Sequence, residues 1–400
     1  MNIFLGSIYP TNLLNELVER KEHVDFPAQT FQLSLLKGLL FHLNSLHIVT
    51  SPVIRSKREN VKDICKGYMF SHLGGEIKED IYVGTIIIPG LQMFFEFIKV
   101  YRCVKKLLSK SSVDNLFIYA LHSPFLLAAV LLRKQVRCSC VIVPDLPDYM
   151  SNKGGIIRRI GKKIDKSIIN YCVKRLDCFV LLSSYMREKL PIRDKRWTLM
   201  EGIYNQEDNV SEDIGKCPNK AILYTGNLSK RMGIIELLDA FRQIKDPDFR
   251  LWIRGNGEAK LDVINAQKED NRIIYYDPMP LAEIRKLQRQ ATVLINPTRA
   301  SQEFTKYFFP SKTMEYLASG TPTIMYKLPC LPKSYYEHIY FIENETVDGL
   351  RKKIIEVCEK SDEERRQFGK KASEFICHEK NAIVQTRKII NLIENNNNIK

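Results

Sequence analysis

Short apolar runs alternate with longer amphipathic stretches along most of this 400-residue chain, and the alternation occurs twice. Short apolar runs predict buried strands, and apolar residues at helical spacing predict helices between them. Strands that alternate with helices form parallel sheets with helices on both faces. The sequence therefore predicts an α/β fold with two doubly wound domains that face one cleft.

In the first half, strands are predicted at Asn2–Leu5, Leu46–Val49, Ile86–Ile88, Leu116–Tyr119, Ser139–Val143 and Cys178–Leu182, and helices at Phe31–Leu43 and Gln92–Leu108. In the second half, strands are predicted at Ala221–Tyr224, Arg250–Arg254, Ile273–Tyr276, Val293–Ile295 and Thr323–Tyr326, and helices at Ile234–Ile244, Leu281–Gln290, Ser311–Ser319 and Ala382–Ile393. The stretch Glu201–Lys220 is polar and rich in turn residues, which is typical of a linker. We therefore expect a first domain at residues 1–205 and a second at 206–379.

The formal net charge of +15 indicates an anionic partner, such as phosphorylated ligands or acidic lipid. The charge is the only argument for nucleic-acid binding, because no nucleic-acid-binding motif accompanies it. We therefore expect that the protein does not bind nucleic acid. The ten cysteines lack zinc-site spacing and predict buried, reduced thiols. We see neither a signal peptide nor a membrane-spanning apolar run, which predicts a cytoplasmic protein.

The segment Phe309–Pro322 predicts a helix with a ligand-binding N-terminus. Ser311 is expected to cap the helix, and Gly320 and Pro322 end it. Lys312 lies in the first turn, where a cation opposes the helix dipole unless an anion is bound nearby. Glu315, about one turn further on, can accept the hydroxyls of a ribose. A solvated Lys–Glu pair is the alternative interpretation.

Two further loops of the second half follow predicted strands. After the first, Gly226 and Asn227 precede the cations Lys230 and Arg231, and a helix begins soon afterwards. Backbone amides, a helix dipole and two cations can together hold a diphosphate. After the next strand comes Arg254–Glu258, where Gly255 and Gly257 would let a ligand approach the backbone. Ordinary turns with solvated charges remain the alternative for both loops.

In the first half, His122 follows a predicted strand, and Asp145 and Asp148 follow the next one. Ligands bind at the carboxyl ends of parallel strands, so these side chains are candidates for sugar binding as well as for structural roles. The stretch Lys153–Arg175 combines many cations with isoleucines at helical spacing. Such a helix either lies on an anionic membrane surface or packs its isoleucines on the domain core.

The series Gly-Asn-Leu-Ser-Lys-Arg-Met-Gly-Ile (226–234), Arg-Gly-Asn-Gly (254–257), Leu-Ile-Asn-Pro-Thr (294–298) and Glu303–Pro322 resembles the retaining glycosyltransferases of family 4, and within them the bacterial polysaccharide-assembly members. The resemblance is strongest over residues 221–325 and fainter at 122–124, 145–150 and 200–202. It implies a GT-B fold of two Rossmann-like domains, with the acceptor bound by the first domain and the donor mainly by the second. It also implies that a final helix at residues 380–394 returns to the first domain.

The resemblance implies a nucleotide sugar as donor substrate, no other cofactor, no metal and a glycan or lipid-linked acceptor. Catalytic roles fall to His122, Lys230, Arg231 and Lys312. Donor binding falls to Gly226, Asn227, Gly255, Gly257, Glu303, Lys306, Tyr307, Ser311, Thr313 and Glu315, and acceptor binding to Asp145 and Asp148. Two positions depart from the family pattern. Tyr307 replaces the first glutamate of the family pair, with Glu303 and Lys306 beside it, and Met232 replaces a lysine.

The resemblance therefore implies retaining transfer of a sugar to a hydroxyl, on an acceptor such as a lipid-linked glycan in capsule or exopolysaccharide synthesis. The protein would lie at the inner face of the cytoplasmic membrane. Two alternatives remain open: a nucleotide-sugar epimerase, and an inactive GT-B scaffold in a polysaccharide complex, for which Tyr307 is the argument.

Overall fold

A computed structural model describes residues 1–52, 54, 66–72, 79–85, 91–146, 155–205 and 215–394, without the side chain of Ile157. The chain divides into two compact units. The first comprises residues 1–203 with the C-terminal residues from 382 onwards, and the second comprises residues 204–381. The predicted strand Ile86–Ile88 and the candidate Asp148 lie outside the described residues.

The first unit is built on an eight-stranded sheet. Its strands are β1 (Asn2–Gly6), β2 (His47–Thr50), β3 (Tyr68–Phe70), β4 (Asp80–Tyr82), β5 (Val113–Tyr119), β6 (Val136–Val143), β7 (Cys178–Leu181) and β8 (Arg196–Leu199). The order is β3-β4-β2-β1-β5-β6-β7-β8, and β3 alone runs antiparallel to its neighbour. Successive residues of β1 point to opposite faces, so Phe4 joins one buried cluster while Ile3 and Leu5 join the other.

Helices cover both faces of this sheet: α1 (Thr11–Glu19), α2 (Phe26–His42), α3 (Gln92–Leu108), α4 (Ser123–Leu132), α5 (Ile156–Val173) and the short α6 (Met186–Lys189). The C-terminal helix, Ala382–Glu394, also belongs to this unit and packs on α2. At their contact, a Cβ on Gly38 would lie 2.3 Å from the carbonyl oxygen of Ala382. Only a glycine therefore allows the C-terminal helix to pack this closely.

The second unit has a six-stranded, fully parallel sheet with strands β9 (Lys220–Asn227), β10 (Phe249–Asn256), β11 (Ile273–Tyr276), β12 (Val293–Asn296), β13 (Thr323–Tyr326) and β14 (Tyr340–Ile342). Its helices are α7 (Ile234–Arg242), α8 (Lys260–Glu269), α9 (Leu281–Gln290), α10 (Ser311–Ala318), α11 (Val347–Cys358) and α12 (Asp362–Glu379); the C-terminal helix Ala382–Glu394 of the first unit is α13. The strand order is β11-β10-β9-β12-β13-β14. The chain thus builds outward from β9 on one side and returns to build on the other, which is the Rossmann arrangement.

The predicted fold class, α/β with two Rossmann-like units, is confirmed. Helices α3 and α9 have the predicted bounds, and α2 begins five residues earlier than predicted, at Phe26. Asp25 caps α2 by accepting from the Ala28 N–H, which explains the earlier start. Among the described residues, no helix is both long and apolar enough to cross a membrane.

Candidate functional site

The loops that follow β9, β10 and β12 leave the second sheet at the edge where parallel strands end. β9 pairs with β10 as far as Asn227, but it pairs with β12 only at Ile222 and Leu223. The carboxyl ends of β9 and β12 therefore diverge at the point where the strand order reverses. Crevices at such points are where open parallel sheets bind ligands.

Lys312, in the first turn of α10, extends its ammonium group to the end of β9. Its Nζ donates to the Tyr224 hydroxyl at 2.9 Å and lies 4.3 Å from the centre of the same ring. A Cβ on Gly226 would come within 2.8 Å of this Nζ, so the glycine makes room for the lysine. Gly226 also has a φ of +149°, which side chains disfavour.

The side chain of Lys312 is a partly buried cation. Burial lowers its pKa to about 8, although the nearby Glu315 carboxylate acts in the opposite direction. Within the described part of the chain, no carboxylate forms an ion pair with Lys312. A partly buried cation is costly unless it is paired, and an anionic ligand at the crevice would pair it.

The start of α10 differs from the prediction in two respects. Pro310, rather than Ser311, is the N-cap residue, and no side chain caps the helix. Thr313 was predicted to bind the donor, but its side chain is fully buried and its hydroxyl points at the sulfur of Met325, 3.9 Å away. Its hydroxyl is therefore not available to a ligand. Ser311 is exposed in the first turn.

The cations of the turn after β9 contact neighbouring loops. The Lys230 N–H donates to Glu258 at 2.8 Å, and its ammonium, 60% exposed, lies 4.0 Å from Asp262. The Arg231 guanidinium lies 5.0 Å from the centre of the Phe304 ring. Lys230 therefore has a weak surface partner, and Arg231 joins this turn to the loop after β12.

Gly255 and Gly257 have a packing role in this structure. A Cβ on Gly255 would lie 1.8 Å from the carbonyl oxygen of Gly226, and a Cβ on Gly257 would lie 2.6 Å from the backbone of Leu228. These contacts account for both glycines without a ligand. Asn227 accepts a hydrogen bond from the Ser229 N–H through its side chain, which fixes the start of the turn.

Three side chains lie together where the resemblance implies a glutamate. The Tyr307 hydroxyl donates to Glu303 at 3.0 Å, and the Lys306 ammonium lies 3.4 Å from the other oxygen of the same carboxylate. Glu303 and Lys306 are the first and last residues of a 3₁₀ turn, and Tyr307 directly follows it. The turn therefore carries a carboxylate fixed by the tyrosine.

Glu315 is exposed and lines a small recess between α9 and α10. The recess is also lined by Tyr204, Arg285, Gln288, Arg289 and Ser319. The Glu315 carboxylate also lies close enough to Lys312 for its negative charge to raise the pKa of the lysine, against the larger effect of burial. The two arginines on α9 were not foreseen, because amphipathic surface helices commonly carry arginine.

In the first unit, His122 is the N-cap residue of α4, directly after β5. Its Nε2 lies 3.0 Å from Oε1 of the buried Glu96 on α3, and its ring packs edge-on against Phe125. Ala120, two residues earlier, has a φ of +70°, a strained value for an alanine. Strained backbone concentrates at functional sites, and this loop lies where the first sheet reverses its strand order, between β1 and β5.

Asp145 lies near a second carboxylate. Desolvation and the negative charge of Asp25 raise the pKa of Asp145. The pKa of Tyr119, at the end of β5, is raised mainly by burial and further by both carboxylates. The two aspartates therefore belong to one acidic cluster of the first unit, whereas Asp148 lies outside the described residues.

Helix α5 has an exposed apolar stripe. Ile156, Ile160 and Ile164 are 68%, 53% and 56% exposed, while Ile169 is buried in the core. The alternative that the isoleucines pack on the domain core is therefore wrong for these three. Ile164 and the exposed Tyr171 also line a groove between α4 and α5, together with Leu127, Lys163, Ser167 and Ile168.

Sequence reasoning missed Tyr224 and Glu96. A tyrosine inside the apolar run Ala221–Tyr224 is normally a core residue, and a single glutamate on α3 gives no local signal. Their partners are 88 and 26 residues away along the chain, so only the fold brings each pair together.

Two Rossmann-like units, each with a loop at the point where the strand order of its sheet reverses, are the fold of GT-B proteins. Residues 207–375 match the family model described as Glycosyl transferases group 1, which supports a glycosyltransferase. This match lies in the second unit and covers less than half of the chain. No curated protein sequence matches the chain significantly.

Solved structures with the same fold include sucrose-phosphate synthase from Thermosynechococcus elongatus, which is 15% identical with a TM-score of 0.65, over 100% of both chains. A glycosyltransferase from Rickettsia africae is 15% identical with a TM-score of 0.62, over 100% of this chain and 99% of its own. Anabaena HepE, solved with UDP, is 11% identical with a TM-score of 0.63, over 99% and 100%. These similarities show that the chain has the fold of these proteins.

Proposed function

We propose that this protein transfers a glycosyl unit from a nucleoside diphosphate sugar to a hydroxyl group, with retention of configuration at the anomeric carbon. The observation that carries the proposal is Lys312, a partly buried cation at the switch point of the second sheet with no carboxylate in an ion pair among the described residues. A diphosphate is the anion that such a site at a helix N-terminus suits.

In the proposed reaction, the bond between the anomeric carbon and the diphosphate oxygen breaks, and a bond to the acceptor oxygen forms on the same face. Negative charge develops on the leaving diphosphate, where Lys312, Lys230 and Arg231 would stabilise it. The acceptor proton passes to the leaving phosphate oxygen, so no side-chain nucleophile is required. Because cations of the protein neutralise the diphosphate, we propose that transfer needs no metal ion.

Three further roles belong to the proposal. Glu315 would accept the ribose hydroxyls, and Glu303, fixed by Tyr307, would supply the carboxylate that contacts the donor sugar. His122, whose Nε2 lies 3.0 Å from the Glu96 carboxylate, would position that sugar. Since Anabaena HepE was solved with UDP, UDP is the first nucleotide to test here.

The proposed acceptor is a lipid-linked glycan in surface polysaccharide synthesis, reached at the inner face of the cytoplasmic membrane. Helix α5 supports this placement, because its exposed isoleucines are accompanied by Arg158, Arg159, Lys162 and Lys163. An amphipathic helix of this composition lies in the interface of an anionic bilayer.

A thermal-shift screen against nucleotide sugars and nucleoside diphosphates tests the proposal, followed by incubation of the stabilising donor with and without glycolipid extract. A ligand at 100 times its dissociation constant adds about 2.7 kcal/mol of stability, which such a screen detects. Product formation only with acceptor supports transfer. Conversion of the donor without acceptor indicates an epimerase, and the lack of any binding indicates the inactive scaffold.

A further inference from the structure

Tyr224 contacts the ammonium group of Lys312 in two ways. The residue is fully buried near the end of β9, and its hydroxyl accepts from Lys312 Nζ at 2.9 Å. The same hydroxyl donates to the carbonyl oxygen of Asn227 at 2.7 Å. The face of its ring lies 4.3 Å from the ammonium, within the range of a cation–π contact.

These contacts restrict a side chain that is otherwise flexible. A lysine ammonium is a point charge on a four-carbon stem with considerable rotamer entropy. The tyrosine ring sets the distance of the charge from the sheet, and the hydroxyl sets its direction. Because the Tyr224 hydroxyl donates to the Asn227 carbonyl, its lone pairs are free to accept from Lys312. The same hydroxyl therefore orients both the turn after β9 and the lysine ammonium.

We propose that Tyr224 is a positioning residue that holds the Lys312 ammonium in place for the donor diphosphate. The inference rests on the proposed function, because it assigns Lys312 a diphosphate to bind. Tyr224 itself would not touch the substrate. The alternative is that Tyr224 only fills the core below β9, in which case its hydroxyl would matter to stability and not to binding.

The experiment compares Tyr224→Phe, Lys312→Met and the double variant in calorimetric titrations with UDP from pH 6 to 9.5. Tyr224→Phe keeps the ring but removes two hydrogen bonds, one to Lys312 and one to the Asn227 carbonyl. Loss of the bond to the charged lysine predicts about tenfold weaker binding. In the Lys312→Met background the same change should add no further loss, since the two effects are coupled. Tyr275→Phe, which removes the hydroxyl bond to the Gly255 carbonyl without touching Lys312, is the matched control.

The pH dependence separates positioning from packing. The hydroxyl oxygen stabilises the charged lysine, so Tyr224→Phe should move the pH at which UDP affinity starts to fall to a lower value. Wild-type affinity in Tyr224→Phe, or an equal loss in both backgrounds, would overturn the role of Tyr224 while leaving the proposed function intact. Failure of the wild-type protein to bind any nucleoside diphosphate would overturn both.

Discussion

The hydroxyl of Tyr316 donates to the carbonyl oxygen of Thr225 at 3.0 Å and accepts from the Thr225 N–H at 2.8 Å. Here a side chain takes the place of a neighbouring strand, because β12 has already diverged from β9 at this point. The bonds tie α10 to the end of β9. Lys312, one turn earlier on α10, is thereby brought to the crevice before any ligand binds.

Lys312→Met should weaken UDP binding about a hundredfold and reduce turnover at least a hundredfold, because the charge facing the diphosphate is lost. The same variant should be as stable as the wild type or more so at pH 7, since burial disfavours the charged lysine. Thermal shifts with and without UDP measure both effects. Lys352→Met, at a 70% exposed lysine that pairs with Asp348, is the control. Normal UDP binding by Lys312→Met would remove Lys312 from the site.

UDP affinity of the wild-type protein should be highest near pH 7, where the UDP phosphate is ionised and Lys312 is still charged, and should decline as the pH rises through about 8. The pKa of Lys312 is lowered to about 8, so the free protein loses this positive charge as the pH rises through that value. Each further pH unit should weaken binding by up to about tenfold. Titration calorimetry across this range measures the decline. A profile that is flat to pH 10 would contradict the lowered pKa or the contact.

Glu303→Gln should reduce turnover about a hundredfold and leave UDP affinity within about twofold, because the proposed contact is to the sugar and not to the nucleotide. Tyr307→Phe removes the 3.0 Å bond that fixes this carboxylate and should have a smaller effect in the same direction. Steady-state kinetics and UDP titration separate the two quantities. Glu343→Gln, at an exposed carboxylate after β14, should match the wild type. Unchanged turnover in Glu303→Gln would exclude this role.

His122→Ala should lower turnover strongly, and Glu96→Gln should lower it less, because the glutamate acts only through the orientation of the imidazole. The 3.0 Å separation of Nε2 and Oε1 places the carboxylate within reach of the ring nitrogen. UDP affinity, assigned to the second unit, should remain the same in both variants. A larger loss in Glu96→Gln than in His122→Ala would contradict this order of roles.

Replacement of Arg158, Arg159, Lys162 and Lys163 by alanine should release the protein from liposomes that contain anionic phospholipid. Each cation near such a surface contributes about 1 kcal/mol, so four together dominate the attraction. Ile160→Ser with Ile164→Ser tests the apolar contribution separately. Co-sedimentation measures binding, and four alanines at exposed cations of α11 and α12 (Lys352, Arg366, Lys370 and Lys371) are the control. Equal binding by both fourfold variants would exclude α5 as the membrane contact.

Elements with clear periodicity could be predicted from the sequence. The amphipathic α3 and α9 have the predicted bounds, because one apolar face and one polar face identify such helices. Helix α4 was missed since it is apolar on nearly all sides and therefore shows no periodicity. The strands β3, β8 and β14 were also missed. They are short and lie at the edges of their sheets, and few of their residues are buried.

The candidate site could be located but not completed from the sequence. Motif order identified Lys312 and the turn after β9, whereas Tyr224 and Tyr316 act through hydrogen bonds to residues far away in sequence. The glycines after β10 were interpreted as clearance for a ligand, although Gly255 packs against Gly226. The residue types of a loop indicate which chemistry is possible there. The residues packed against the loop determine which of its groups can contact a ligand.

The return of α13 to the first unit has a consequence for biosynthesis. Residues 204–381 of the second unit are all made before Ala382, the first residue of α13. A nascent chain can therefore finish the second unit on the ribosome while the earlier-made unit still lacks the helix that covers Gly38. Truncation before Ala382 should accordingly expose the apolar side of α2 to chaperones and proteases.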